Sequence, residues 1–131
     1  MKALLALRTH DNFGSGEYGA SRGTRKHNGE DFECPVGAGI FPVTSGKVTK
    51  VGYPYGDDKS FRYVQVTLDD HDYRYFYIAP VVRVGDVVST NTVIGFVQDL
   101  DSRYPGITPH CHFEVKVNGK HIDPRGYNER T

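Results

Sequence analysis

The stretch Thr108-Pro109-His110-Cys111-His112-Phe113-Glu114-Val115 concentrates residues that can do chemistry. Side chains alternate along a strand, which sends His110, His112 and Glu114 to one face and Cys111, Phe113 and Val115 to the other, into a core. Two imidazoles side by side on one face suit a divalent metal, since neutral imidazole is its commonest ligand. On their own they suit a solvated strand face equally well. Far upstream, His27 and Asp31 stand four residues apart with Gly29 between them. They form either one turn of helix or, as Asn28-Gly29 argues, a tight turn running into a strand. One carboxylate and one imidazole from this segment, with one imidazole from the C-terminal strand, make three protein ligands. Tetrahedral zinc with three protein ligands keeps a fourth position for water, the layout of catalytic zinc. Taken alone, His27 and Asp31 also fit an ordinary turn with a capping aspartate.

The elements that must position these residues read as strands. Strand-like runs cover Ile40 to Val43, Gly46 to Tyr53, Tyr63 to Leu68, Tyr73 to Ile78, Val81 to Val84, Val93 to Gln98 and His112 to Val117. Asp69-Asp70-His71-Asp72 reads as a connecting turn, and Asn118-Gly119 as a two-residue hairpin turn. Residues 11–26, rich in Gly, Ser, Asn and Arg, read as a loop, as do residues 54–59 and the longer 99–108. No segment reads as a helix or a repeat. The expectation is an all-β fold of antiparallel sheets with long loops.

Composition sets the outer limits. With 131 residues the chain fits one domain spanning residues 1–131. Nine tyrosines, seven phenylalanines, 15 glycines and no tryptophan favour short strands joined by tight turns. Acidic and basic residues balance at 16 each, so no bulk field draws the chain to nucleic acid or an anionic membrane. Cys34 and Cys111 are too few for a disulfide framework and read as buried small hydrophobes, although a bridge between them stays open. The run Ala3-Leu4-Leu5-Ala6-Leu7 is shorter than a secretory apolar region of roughly 7–15 residues and reads as a first strand. No stretch has the length of a membrane span.

His27-x-x-x-Asp31 followed by Cys34-Pro35-Val36-Gly37 and Gly46-Lys47-Val48 resembles the opening signature of the lysostaphin-type zinc endopeptidases. His110-x-His112-Phe113-Glu114-Val115, then Asn118-Gly119-Lys120 and Asp123-Pro124, resembles their closing signature, and residues 82–95 resemble their glycine-marked hairpin. Tyr75-Phe76-Tyr77-Ile78-Ala79-Pro80 and Tyr104-Pro105-Gly106-Ile107 are similar to the leukocyte-cell-derived chemotaxin branch of the same superfamily, as are Arg8 to Asp11 and Gly16 to Tyr18. That branch is identified with zinc-binding signalling proteins without peptidase activity, and it is rich in disulfides this chain lacks.

The resemblance implies a lysostaphin-type fold and a Zn2+ ion held by His27, Asp31 and His112. Such an ion lowers the pKa of bound water toward about 7 and polarises a scissile carbonyl. His110 is placed off the metal, moving a proton or stabilising the oxyanion. Glu114 either orients a ligand imidazole or, the reading favoured here, is a solvated glutamate. The 54–59 and 99–108 loops would wall a substrate groove lined by Tyr53, Tyr55 and Tyr104, or these are ordinary surface tyrosines. One departure stands out. The lysostaphin-type enzymes carry a second catalytic histidine on the central strand, where this chain has Tyr77. Tyrosine, with an unperturbed pKa near about 10, is a poor base at neutral pH.

Two functions follow from the resemblance. One is a phage or bacterial metallopeptidase cutting peptidoglycan peptides, acting in the periplasm or cell wall after delivery by a phage tail or secretion apparatus. The other is a catalytically silent, zinc-stabilised binding module.

Overall fold

The computed structural model describes residues 21, 22, 25, 26, 29–125 and 127. His27 and the Ala3–Leu7 run, expected as a metal ligand and a first strand, lie outside them. Among the described residues every regular element is a strand: β1 (Ser21–Arg22), β2 (Arg25–Lys26), β3 (Glu30–Glu33), β4 (Gly39–Ile40), β5 (Gly46–Gly52), β6 (Tyr63–Leu68), β7 (His71–Phe76), β8 (Ile78–Pro80), β9 (Val87–Val88), β10 (Gly95–Val97), β11 (His110–Val117) and β12 (Lys120–Ile122). The all-β expectation holds, and no helix among these residues could cross a membrane.

The large antiparallel sheet runs β12-β11-β7-β6-β5-β9, and β3 joins it against the N-terminal half of β11. Tight turns make this order possible. Asn118 and Gly119, with φ of 51° and 82°, form the two-residue connection of β11 to β12. Asp69, with φ of 55°, helps turn β6 into β7. The strand therefore begins at His71, inside the segment expected as turn. A smaller sheet, β4-β10-β8, packs its Ile40, Ile78 and Val97 against the large one.

Period-two alternation sorts the faces of the large sheet. Val48, Val64, Val66, Tyr73, Tyr75, Cys111, Phe113 and Val115 form one buried apolar face. Tyr75 is fully buried, and its hydroxyl accepts a hydrogen bond from the Val43 amide at 2.9 Å. Cys34 and Cys111 are free buried thiols, as expected of small hydrophobes. The opposite face is polar and aromatic. One row across it aligns Tyr63, Phe76, His112 and Asp31; the next aligns Gln65, Arg74 and Glu114; a third aligns Thr67, Asp72, Lys116 and His121.

Four local expectations need correction. β1 and β2 pair within the segment read as loop. The apolar run Ile40 to Val43 keeps strand geometry only at Gly39–Ile40. Val81 to Val84 form no strand: Pro80 ends β8, and Val81 and Val84 are 56% and 62% exposed. The run Tyr73 to Ile78 is broken at Tyr77, whose φ is +69°. There the amides of Tyr77 and Ile78 both donate to the Arg62 carbonyl, at 2.8 and 3.3 Å, so two residues oppose one as in a β-bulge.

Candidate functional site

The β3–β11 ladder pairs His112 with Asp31 and His110 with Glu33. Cross-strand partners share a face, so the Asp31 carboxylate comes up beside the His112 imidazole, with Oδ1 2.7 Å from Nδ1. Its other oxygen lies 3.6 Å from His110 Nε2. The three side chains are at least nine-tenths buried, or nearly so. The approach of β3 depends on Gly29. A Cβ there would stand 2.3 Å from the Phe113 carbonyl oxygen and 3.0 Å from His112 Cε1.

His110 donates from Nδ1 to the Thr108 carbonyl at 2.7 Å. A carbonyl only accepts, so the proton sits on Nδ1 and Nε2 faces Asp31. His112 is gripped from both ends. Its Nε2 donates to Glu114 Oε2 at 2.8 Å, while Nδ1 faces Asp31. Burial opposes charge on this ring, but the two carboxylates outweigh it and raise the imidazole to about 9. Glu114 is 8% exposed, which overturns its reading as a solvated glutamate. Burial pushes its carboxyl up, yet hydrogen bonds from His112 and His121 hold it down at about 2. Arg74 NH1 lies 3.6 Å from the same Oε1 that accepts from His121 Nε2 at 2.8 Å.

Of the three expected ligands, Asp31 and His112 are brought together and His27 falls outside the described residues. Among the described residues alone no three His, Cys, Asp or Glu side chains make a metal cage. The donors present nevertheless fit a divalent metal. One carboxylate oxygen and one imidazole nitrogen converge, and a carboxylate holds the far ring N–H, as acidic partners of metal-binding histidines commonly do.

The bulge sets the last member. In an unbroken strand Tyr77 would follow Tyr73 and Tyr75 into the core. The left-handed backbone turns it instead to the polar face, its ring 5.5 Å from the His110 ring and nearly perpendicular to it. Burial raises its hydroxyl to about 12, so it stays protonated. Tyr55 bonds the Tyr77 hydroxyl at 2.9 Å and the Tyr104 hydroxyl at 2.7 Å, tying the two long loops to the bulge. Arg103 lies over the Tyr55 ring at 3.7 Å. Tyr53 stands outside this chain, 47% exposed beneath the Arg62 guanidinium.

Sequence reasoning missed Arg74 and His121. The turn at Asn118-Gly119 carried the signal for His121, because a two-residue hairpin aligns residue 121 with 116 and so with 114 and 112 on one face.

Histidines and an aspartate thus meet on a buried face of an antiparallel β-sheet. Residues 25–124 match the model of peptidase family M23, and the chain belongs to that family. It is 30% identical over 127 residues to leukocyte cell-derived chemotaxin-2 of Mus musculus, covering 96% of this chain and 82% of that protein. It is 31% identical over 100 residues to the peptidoglycan DD-endopeptidase ShyB of Vibrio cholerae, covering 74% of this chain and 22% of that one. The structure superposes on lysostaphin from Staphylococcus simulans with a TM-score of 0.68 and 26% identity, covering 95% of this chain and 52% of that one. The chain thus spans most of the chemotaxin, about half of the lysostaphin chain and about a fifth of the endopeptidase.

Proposed function

We propose that the chain is a zinc-dependent endopeptidase acting on the peptide part of peptidoglycan, with His27, Asp31 and His112 as metal ligands. The observation that carries this reading is the meeting of Asp31 with His112 at 2.7 Å and with His110 at 3.6 Å on one buried face. The named activity of the Vibrio relative supports the substrate class. When bound, zinc supplies a Lewis acid and an acidified water. His112, its Nε2–H held by Glu114, presents Nδ1 toward Asp31. His110, its Nδ1–H held by the Thr108 carbonyl, keeps Nε2 as the atom that accepts a proton and returns it to the leaving amine. Tyr77 stays protonated beside His110 and acts as a hydrogen-bond donor, not a base. Tyr55 and Tyr104 flank it as groove residues, and Tyr53 lies further out. Action on peptidoglycan places the work in the periplasm or cell wall, reached through a phage tail or secretion apparatus.

The test is release of new amino groups from purified peptidoglycan at matched zinc loading. Wild type should release them and His110→Ala should lose about 10²–10⁴ in rate. Absence of release from several cross-link types, with zinc bound, would favour a second reading. In it the metal holds the fold and the groove only binds, as in the chemotaxin branch. That reading is favoured by Tyr77, whose buried, tethered ring stands where the resemblance to the lysostaphin-type enzymes calls for a second histidine.

A further inference from the structure

Glu114 can orient His112 only if its own carboxylate is held, and two groups hold it. Oε2 accepts from His112, while Oε1 accepts from His121 Nε2 at 2.8 Å and faces Arg74 NH1 at 3.6 Å, beyond hydrogen-bond reach. Arg74 is itself committed elsewhere, donating to the Tyr63 hydroxyl at 3.0 Å and lying over the Tyr63 and Phe76 rings. His121 therefore supplies the hydrogen bond that holds Oε1. It belongs to β12, an edge strand, and its side chain is 29% exposed. A continuous chain results, Asp31–His112–Glu114–His121, running from the buried site to the sheet edge.

We infer that His121 is a positioning residue for the metal site: by fixing Glu114 it sets the aim of the His112 ring. The inference rests on the assignment of His112 as a ligand. A carboxylate without its second anchor can rotate about χ3, a broad and soft torsion, and the His112 Nε2–H then loses its fixed acceptor. Losing such an outer partner of a metal-binding histidine typically costs about 10–100-fold in metal affinity.

The experiment compares wild type, His121→Phe and His121→Gln in two measurements. Phenylalanine keeps ring bulk without a donor; glutamine keeps a side-chain N–H. Zinc affinity by chelator competition should fall about 10–100-fold in His121→Phe and recover most of that loss in His121→Gln. In metal-free protein labelled at the imidazole nitrogens, the His112 Nε2–H signal should be slow to exchange in wild type and His121→Gln and lost in His121→Phe. Equal zinc affinity in all three proteins, or an unchanged His112 Nε2–H in His121→Phe, would overturn the inference. Should wild type bind no zinc, the proposed metallopeptidase fails, and the nitrogen spectra still decide whether His121 positions His112. Thermal unfolding of the metal-free proteins controls for folding. A phenylalanine variant that holds wild-type stability and loses the signal supports positioning, and one whose losses only track a lowered Tm in both variants refutes it.

Discussion

Tyr77 sets its ring edge-on to the His110 imidazole, at 5.5 Å and 86°, through a left-handed backbone that few non-glycine residues adopt. The strain of such a residue is about 1–2 kcal/mol, and it is spent between β7 and β8, where the ring faces both His110 and His112. Left-handed tyrosine persists here because the ring is packed and its hydroxyl tied.

Replacing Tyr77 with histidine should raise peptidoglycan cleavage. Histidine tolerates the left-handed region better than most residues and titrates near neutrality. A gain on the order of 10²-fold in amine release at matched zinc is expected. An unchanged rate would mean that this side chain does not reach the reacting atoms.

Tyr55→Phe should loosen the loops without unfolding the sheet. It deletes two hydroxyl hydrogen bonds, at 2.9 and 2.7 Å, and keeps the ring under Arg103. The expected cost is about 1–2 kcal/mol in chemical denaturation. Faster proteolysis within residues 54–59 and 99–108 should accompany it.

Zinc affinity should depend steeply on pH. The His112 ring, raised to about 9 in the absence of metal, must lose a proton before Nδ1 can bind. Affinity should therefore climb about tenfold per pH unit up to about 9, then level off, in chelator competition across buffers. The metal-free protein should behave oppositely at the alkaline end. A raised histidine contributes stability that is whole below its usual 6.5 and is lost as pH rises through about 9. The depressed Glu114 contributes stability present above its usual 4.5 and lost as pH falls through about 2. Denaturation midpoints of the metal-free chain should peak between these limits, near pH 5–6.

Gly29→Ala should cost about 2–3 kcal/mol or prevent folding, because the new Cβ would meet the Phe113 carbonyl, Glu114 Cγ and His112 Cε1. Soluble yield and denaturation midpoint measure this. A variant as stable as wild type would show that β3 can stand further from β11 than it does here.

Strand alternation made much of the site legible. His110, His112 and Glu114 had to share a face, and Asp31 needed only the register of β3 to join them. The burial of Glu114 was not legible, since the exposure of a carboxylate depends on what packs across it, here Arg74 and His121. Tyr77 was singled out through the resemblance, but its turn to the polar face was not legible, for a different reason. Period-two reading assumes an unbroken ladder, and a bulge built on a left-handed tyrosine inverts every inference past it. The valines of 81–84 misled because apolar content is no substitute for a strand edge to pair with.

The pairing of Asp31 with His112 also has a kinetic side. These residues are 81 apart in the chain, and β3 finds its ladder partner in β11. The meander of β5, β6 and β7 closes through residues 53–62 and 69–70, whereas this contact must close a loop spanning most of the protein. Loop-closure entropy makes it one of the costlier encounters in folding. Whatever binds between Asp31 and His112 thus acts as a clasp on this long closure. Occupancy of the site would report that β3 has met β11.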